Sequence, residues 1–308
     1  MEGVTDVVFR QVVAKAGKPD LFYTEFTNVS SYASEKGRAN ALERMQITET
    51  DHPIVAQIWG KNPEHFSEFT HALSSLGFAG IDINMGCPDR HVNKAGGGAA
   101  MIRTPKLAVE CIQNAQNSTD LPVSVKTRLG YTHPDEYQDW LTLLLQQNLA
   151  ALTVHLRTRK EMSKVPAHYE LIPAILQLRH QIAPQTKIIF NGDIRDKTHA
   201  EQIWAQHPDI DGLMIGRGVF ANPYCFTTHQ PTREELLGLL KYHLNLHDQA
   251  AATAAEHGQR RPFDPLKRFF KVYLNNFPGA KDLRAELMLT TSTAEARAVL
   301  NNYTTSCY

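Results

Sequence analysis

A cysteine stands in the run Asn84-Met85-Gly86-Cys87-Pro88, directly after the strand-like Gly80-Ile81-Asp82-Ile83. The loop continues through Asn93-Lys94 into Gly96-Gly97-Gly98, where missing side chains let a ligand come close to the backbone. A thiol in such a loop can give up a proton or attack an electrophile. The C-terminal end of a strand is also where an α/β barrel keeps its chemistry. Taken alone, a cysteine reads first as a small buried hydrophobe, and the rest of the chain reverses that for Cys87.

Polar residues close the other aliphatic runs as well: Gln57, Asn84, Lys126 with Arg128, His155, Asn191-Gly192-Asp193 and Gly216-Arg217-Gly218. Each by itself is an ordinary satisfied or solvated group. At successive strand ends they describe a ligand cradle. The last two turns occupy the place where barrels of this kind bind phosphate. Glycine there lets the main chain approach an anion, and Arg217 can pair with one bidentately. Two ordinary tight turns are the alternative. Lys126 lies opposite, where positive charge stabilises an electron-rich ring during reduction.

The elements that must position these groups are short strands: Leu21–Thr24, Ile54–Ile58, Gly80–Asn84, Val123–Thr127, Ala151–His155, Lys187–Asn191 and Gly212–Ile215. Longer helical segments separate them, and a spacing of roughly 25–43 residues is that of βα units whose parallel strands need a crossover helix. Thr104-Pro105 reads as a Thr N-cap with proline at the first helical position. The runs are nearly all apolar and do not alternate, as in strands covered on both faces. The expected fold class is therefore α/β, a TIM (β/α)8 barrel. Its first strand is truncated, since the chain opens at Met1-Glu2-Gly3-Val4-Thr5-Asp6 as a strand end leading into a helix at Val7–Ala16. A seven-stranded or open sheet is the competing reading. Beyond Pro223 no strand is expected; Thr232-Arg233-Glu234-Glu235 is a capping box and Ser292-Thr293-Ala294-Glu295 opens a later helix. Residues 1–228 are assigned to the barrel and 229–308 to a helical domain.

Composition narrows the classes. Lys and Arg number 32 against 32 Asp and Glu, so any attraction for nucleic acid must come from a local patch. The cysteines, Cys87, Cys111, Cys225 and Cys307, form no CxxC pair, which argues against a disulfide framework or a zinc ribbon and suits a reducing cytoplasm. No signal peptide and no bilayer-spanning apolar run is expected.

In combination these stretches resemble the tRNA-dihydrouridine synthase family of flavoenzymes. The matching segments are Met1-Glu2-Gly3-Val4-Thr5-Asp6, Tyr23-Thr24-Glu25-Phe26, Val55-Ala56-Gln57-Ile58, Asp82 to Pro88, and Ser124-Val125-Lys126-Thr127-Arg128-Leu129-Gly130. His155-Leu156-Arg157-Thr158-Arg159, Asn191-Gly192-Asp193 and Met214-Ile215-Gly216-Arg217-Gly218 complete the set. The resemblance implies that FMN is held by Gln57, Lys126, His155, Asn191, Gly192, Asp193, Gly216 and Arg217, with the backbone of Met1 and Glu2 along the ring. It implies that Asn84 lies beside the target uracil, that Arg128 also binds substrate, that Cys87 is the catalytic acid, that NADPH is the reductant and that the helical domain grips tRNA. Two departures stand out. The residue pair that completes strand one in the family is absent before Met1, and Leu156 stands where the family has glycine, so the loop through Lys164 is expected to be reshaped. His168-Tyr169 also replaces the family's acidic-aromatic pair.

Saturating a uracil requires a hydride and a proton at opposite ends of the double bond; the resemblance assigns the first to reduced FMN and the second to Cys87 as a neutral thiol. A uridine stacked in RNA must be extruded to react. Lys267, Arg268 and Lys271, interleaved with Phe269, Phe270 and Tyr273, then form a candidate phosphate-binding face; the alternative is a solvated helix with its aromatics in the core. A monomer is expected. The rival readings are an FMN-dependent oxidoreductase of free pyrimidines, and a non-catalytic RNA-binding protein with a degenerate barrel. Gly96-Gly97-Gly98 is no dinucleotide fingerprint.

Overall fold

The strands obey a two-residue rhythm that their apolar appearance conceals. In the computed structural model, which describes residues 3–275 and 277–306, β4 (Gly80–Asn84) buries every residue. Ile81 and Ile83 lie on one face while Asp82 and Asn84 lie on the other. β5 (Val123–Arg128) repeats this with Val123, Val125 and Thr127 against Ser124, Lys126 and Arg128. The expectation of strands without alternation is corrected here. Both faces are covered, yet one is aliphatic and the other polar.

In chain order the strands are β1 (Phe22–Tyr23), β2 (Thr27–Asn28), β3 (Ile54–Trp59), β4, β5, β6 (Ala151–His155), β7 (Lys187–Asn191) and β8 (Gly212–Met214). All pair in parallel, in the order β1-β3-β4-β5-β6-β7-β8, and β2 pairs with β3 beyond β1. Tyr23 on β1 lies beside Thr153 on β6, so the sheet curls toward a barrel. Among the described residues no ladder joins β8 to β1, and Gly3–Asp6 forms turns rather than a strand. Helices cross between strands: Pro63–Leu73, Pro105–Gln116, Tyr137–Leu145, Ile172–Ile182 and Lys197–Gln206. Asn62 caps the first of these through its side chain. Thr104 stands at the expected cap of the second, but its hydroxyl makes no capping bond and turns back to Met101 O instead.

Two compact units are present. The first comprises the chain up to Val7, Pro19–Ile194 and His199–Gly216; the second comprises Val8–Lys18, Arg195–Thr198 and the chain from Arg217 onward. The boundary expected at residue 228 thus falls inside the second unit. The second unit is helical, and the helix Val7–Gly17 supplies Phe9, whose ring lies 4.7 Å from that of Phe269 and 6.0 Å from that of Phe220. Its longest helix, Arg233–Glu256, starts on the Thr232–Glu235 capping box, and Ser292 caps the last through the Glu295 N–H. No described helix is long and apolar enough to cross a membrane, and no metal-holding cluster occurs among the described residues.

Candidate active site

Parallel register stacks the polar face of the first unit into tiers. The lowest aligns Gln57, Asp82 and Ser124; the next aligns Asn84, Lys126 and Thr153; the uppermost aligns Arg128, His155, Asn191 and Met214. The cysteine loop rises from the middle tier. Asn84 Oδ1 accepts the Gly86 N–H (3.1 Å) and the Cys87 N–H (3.0 Å), which fixes the turn that carries the thiol. Asn84 Nδ2 donates to Gln57 Oε1 at 3.1 Å, and Gln57 Nε2 donates to Asp82 Oδ2 at 2.8 Å. Both amides are therefore oriented by hydrogen bonds within the protein. Cys87 O receives the Ala99 N–H, and a Cβ on Gly98 (φ +57°) would meet that oxygen at 2.8 Å. Glycine is required there because the loop folds onto the cysteine.

Arg128 is buried and divided among backbone carbonyls: Nε donates to Gly86 O, and Nη1 to Thr158 O and Met162 O. It braces the cysteine loop against the loop that follows β6. Cys87 itself is half-buried. Burial pushes its thiol up; the Asp89 main chain and the charges of Arg128 and Lys126 oppose this without reversing it. The Lys126 amine makes no hydrogen bond or ion pair to a described residue, and burial, reinforced by Arg128 and opposed by Asp82, pulls it down to about 8. Beneath it Asp82 is fully buried, its carboxyl pushed up by lost hydration despite hydrogen bonds from Ser124 (2.7 Å) and Gln57. Tyr23, beside Asp82, is pushed up by burial and by that carboxylate.

The far side of the mouth is built on Arg157. Its side chain is 2% exposed; Nε donates to Val165 O at 2.6 Å and Nη2 pairs with Asp193 Oδ2, which also accepts the Ala167 N–H. Tyr169 donates to Gly192 O at 2.5 Å, and His168 lies between Glu161 (3.0 Å) and Glu170 (2.7 Å). Leu156 is fully buried at an ordinary φ, its N–H on Asn191 O. The expected disturbance by a leucine at this position is corrected: no left-handed residue is needed there. Left-handed geometry falls instead at Met162 (φ 55°), Gly192 (φ 129°) and Asp193 (φ 53°).

Of the other residues singled out, His155 packs against Gly192, where an added Cβ would meet its ring at 3.7 Å. Asn191 Nδ2 donates to Met214 O at 2.7 Å. Gly216 ends the first unit; a Cβ there would meet only Asn191 Nδ2 at 3.8 Å, so the space above it is open. Arg217 begins the second unit and stands at the N-cap of Gly218–Ala221. Met1 and Glu2 lie outside the described residues, as does Cys307. In the second unit Phe269, Phe270 and Tyr273 are core, so the expected mixing of aromatics with cations on one face does not occur. Lys267 is paired with Asp264 at 2.8 Å, Arg268 Nε donates to Pro265 O, and Lys271 is exposed. The sequence reading missed Asp82, Tyr23, Arg157 and Tyr169. Asp82 could have been found from its two-residue offset to Asn84.

A family model described as dihydrouridine synthase matches residues 1–307. The chain is 50% identical over 305 residues to a probable tRNA-dihydrouridine synthase 2 of Bacillus subtilis (strain 168), covering 98% of this chain and 92% of that protein. It is 49% identical over 305 residues to a probable tRNA-dihydrouridine synthase of Staphylococcus aureus (strain Mu50), covering 98% and 91%. Among solved structures it resembles a 2-naphthoyl-CoA reductase in complex with 2-naphthoyl-CoA at 11% identity, with a TM-score of 0.50 over 71% of this chain and 46% of that one.

Proposed function

Because the chain belongs to the dihydrouridine synthase family, we propose that it reduces the C5–C6 double bond of uridine in tRNA to dihydrouridine, with FMN as its redox group and NADPH as reductant. The observation that carries this is a half-buried thiol at the polar mouth, on a loop whose N–H groups are held by Asn84, within the field of Lys126 and Arg128.

The residues fit a flavin. The Lys126 amine offers a cation without an acceptor among the described residues, and Gln57 offers an amide on the same face. The turn at Gly192 and the open space over Gly216 leave room for a phosphate. Asp193 would repel an anion were its charge not given to Arg157. When bound, the flavin supplies the hydride. The chain supplies the rest. Asn84 holds the main-chain N–H groups of Gly86 and Cys87, so the thiol is presented at a fixed height. Cys87 keeps its proton at neutral pH and donates it to the ring carbon. The positive charges of Lys126 and Arg128 stabilise the thiolate left behind. The uridine reaches this thiol only after leaving its stack.

Purified protein should be yellow and release FMN on denaturation, and should convert unmodified tRNA but not free uridine in the presence of NADPH. Turnover of free uridine would favour a pyrimidine oxidoreductase. A colourless, inactive protein that still binds tRNA would sink the catalytic reading.

A further inference from the structure

We propose that Arg103, Tyr131 and Arg159 form a clamp for consecutive phosphodiesters of unstacked RNA on the rim beside Cys87. This rests on tRNA being the substrate. The pairing of β5 with β6 continues past both strands: Leu129 N donates to Arg157 O, Arg159 N to Gly130 O at 2.9 Å and Lys160 N to Tyr131 O at 2.9 Å. Tyr131 is held from its other side as well. Glu136 accepts the N–H groups of Tyr131, Thr132 and His133 at 2.7, 3.0 and 2.8 Å. A Cβ on Gly130 would strike Glu136 Cβ at 2.6 Å, so the turn needs glycine for this close approach.

Two guanidinium groups lie against this one ring, Arg103 at 5.2 Å and Arg159 at 5.5 Å from its centroid. Arg103 ends the turn Gly98–Arg103, whose second residue is tied to Cys87 O. Arg159 leaves the loop that Arg128 fastens to Gly86 through Thr158 O and Met162 O. Both therefore stand on the same rim as the thiol.

Neither guanidinium makes an ion pair or a hydrogen bond to a described residue, and Arg159 Nε is buried without an acceptor. The nearby carboxylates are already engaged, Glu136 by the three amides and Glu161 by Thr158 and His168. Lys160 and Lys164 on the same loop add exposed positive charge. A guanidinium resting on an aromatic ring keeps N–H edges free, and their planar fork matches a phosphate. In a chain with no net charge, this is an unneutralised cationic spot where a flipped nucleotide's flanking backbone must be held.

The test measures binding of an unmodified tRNA transcript to flavin-loaded protein over a salt series. In Arg103→Gln/Arg159→Gln, affinity at physiological salt should fall about 10-fold or more. The slope of log K against log salt should shrink by roughly 1.4–1.8, the share of two phosphate contacts. KM for tRNA should rise with kcat nearly unchanged, as for a contact equally strong in ground and transition states. Flavin content should stay at the wild-type level. Arg103→Lys/Arg159→Lys should restore most of the slope. Should the double variant unfold, Arg103→Gln alone, at an exposed site, should remove about half of that slope. An unchanged slope and affinity, or a fall in kcat at constant KM, would overturn the clamp. Failure of the wild-type protein to bind tRNA or form dihydrouridine would instead overturn the substrate assignment on which it rests.

Discussion

Cys87 and Lys126 are shifted in opposite directions by one cause, loss of water, and this sets how each can work. A thiol raised by burial is a poor nucleophile and a sound acid. Alkylation of Cys87, followed by mass spectrometry across a pH series, should show a midpoint above that of an ordinary cysteine. Cys111 and Cys225, pushed up to about 12 by burial, should stay unlabelled in the folded protein. Cys87→Ala should cut turnover ~10²–10⁴-fold, the usual share of general acid catalysis, while flavin and tRNA stay bound. Wild-type turnover in that variant would remove the acid from Cys87. Lys126 follows the opposite logic. Its folded value of about 8 lies below the ordinary 10.5, so between the two the unfolded chain binds more protons and stability rises with pH. Lys126→Met should therefore raise the thermal midpoint of flavin-free protein and lower flavin affinity, and wild-type flavin affinity should weaken as pH climbs through about 8.

The loop after β6 and the turn after β7 are joined by the Arg157–Asp193 pair, whose side chains are 2% and 36% exposed. Asp193→Asn keeps a residue that tolerates φ 53° and removes only the charge. The amide oxygen can still accept, so the expected loss is about 2 kcal/mol, below the roughly 3–5 kcal/mol seen when a buried pair is stripped of one partner. Denaturant unfolding measures it. In the same loop burial lowers the His168 pKa, but Glu161 and Glu170 outweigh burial and leave it raised, while Glu161 is lowered. Their mutual support is complete between the ordinary carboxylate and imidazole values, about 4.3 and 6.5. It is lost as pH rises through the His168 value or falls through that of Glu161. Amide exchange at Thr158 and Ala167, corrected for intrinsic rates, should quicken as pH rises through the imidazole range, and His168→Ala should abolish that dependence. These elements differ in how readable they are. Gly80–Asn84, Ala151–His155 and Lys187–Asn191 are found at their predicted bounds because β-branched runs between turn signals define them locally. Arg157 escapes a linear reading because its partner lies 36 residues on and meets it only through the register of β6 with β7. Asp82 is legible in part, since its two-residue offset puts it on the face of Asn84, but its partners Gln57 and Ser124 come only from the register of neighbouring strands.

A chain with 32 positive and 32 negative side chains cannot draw in RNA by its overall field, so affinity must come from counted local contacts. That count can be divided between the two units. In the helical unit Lys267 is engaged by Asp264, a carboxylate that no phosphate contact replaces without cost, whereas Arg268 and Lys271 present exposed charge. Phe269, Phe270 and Tyr273 contribute packing there and no stacking surface for bases, so the unit offers charge without sequence preference. For Lys267→Ala/Arg268→Ala/Lys271→Ala the salt slope of tRNA binding should therefore shrink by about two contacts, roughly 1.4–1.8, rather than by three. Lys267→Ala alone should leave the slope almost unchanged. Because this set and the Arg103–Tyr131–Arg159 cluster share no partner, losses from the two sets should add in log affinity when the variants are combined. Slopes measured on wild type, each set and the combination decide it, and a combined loss well short of the sum would mean that both sets serve one contact.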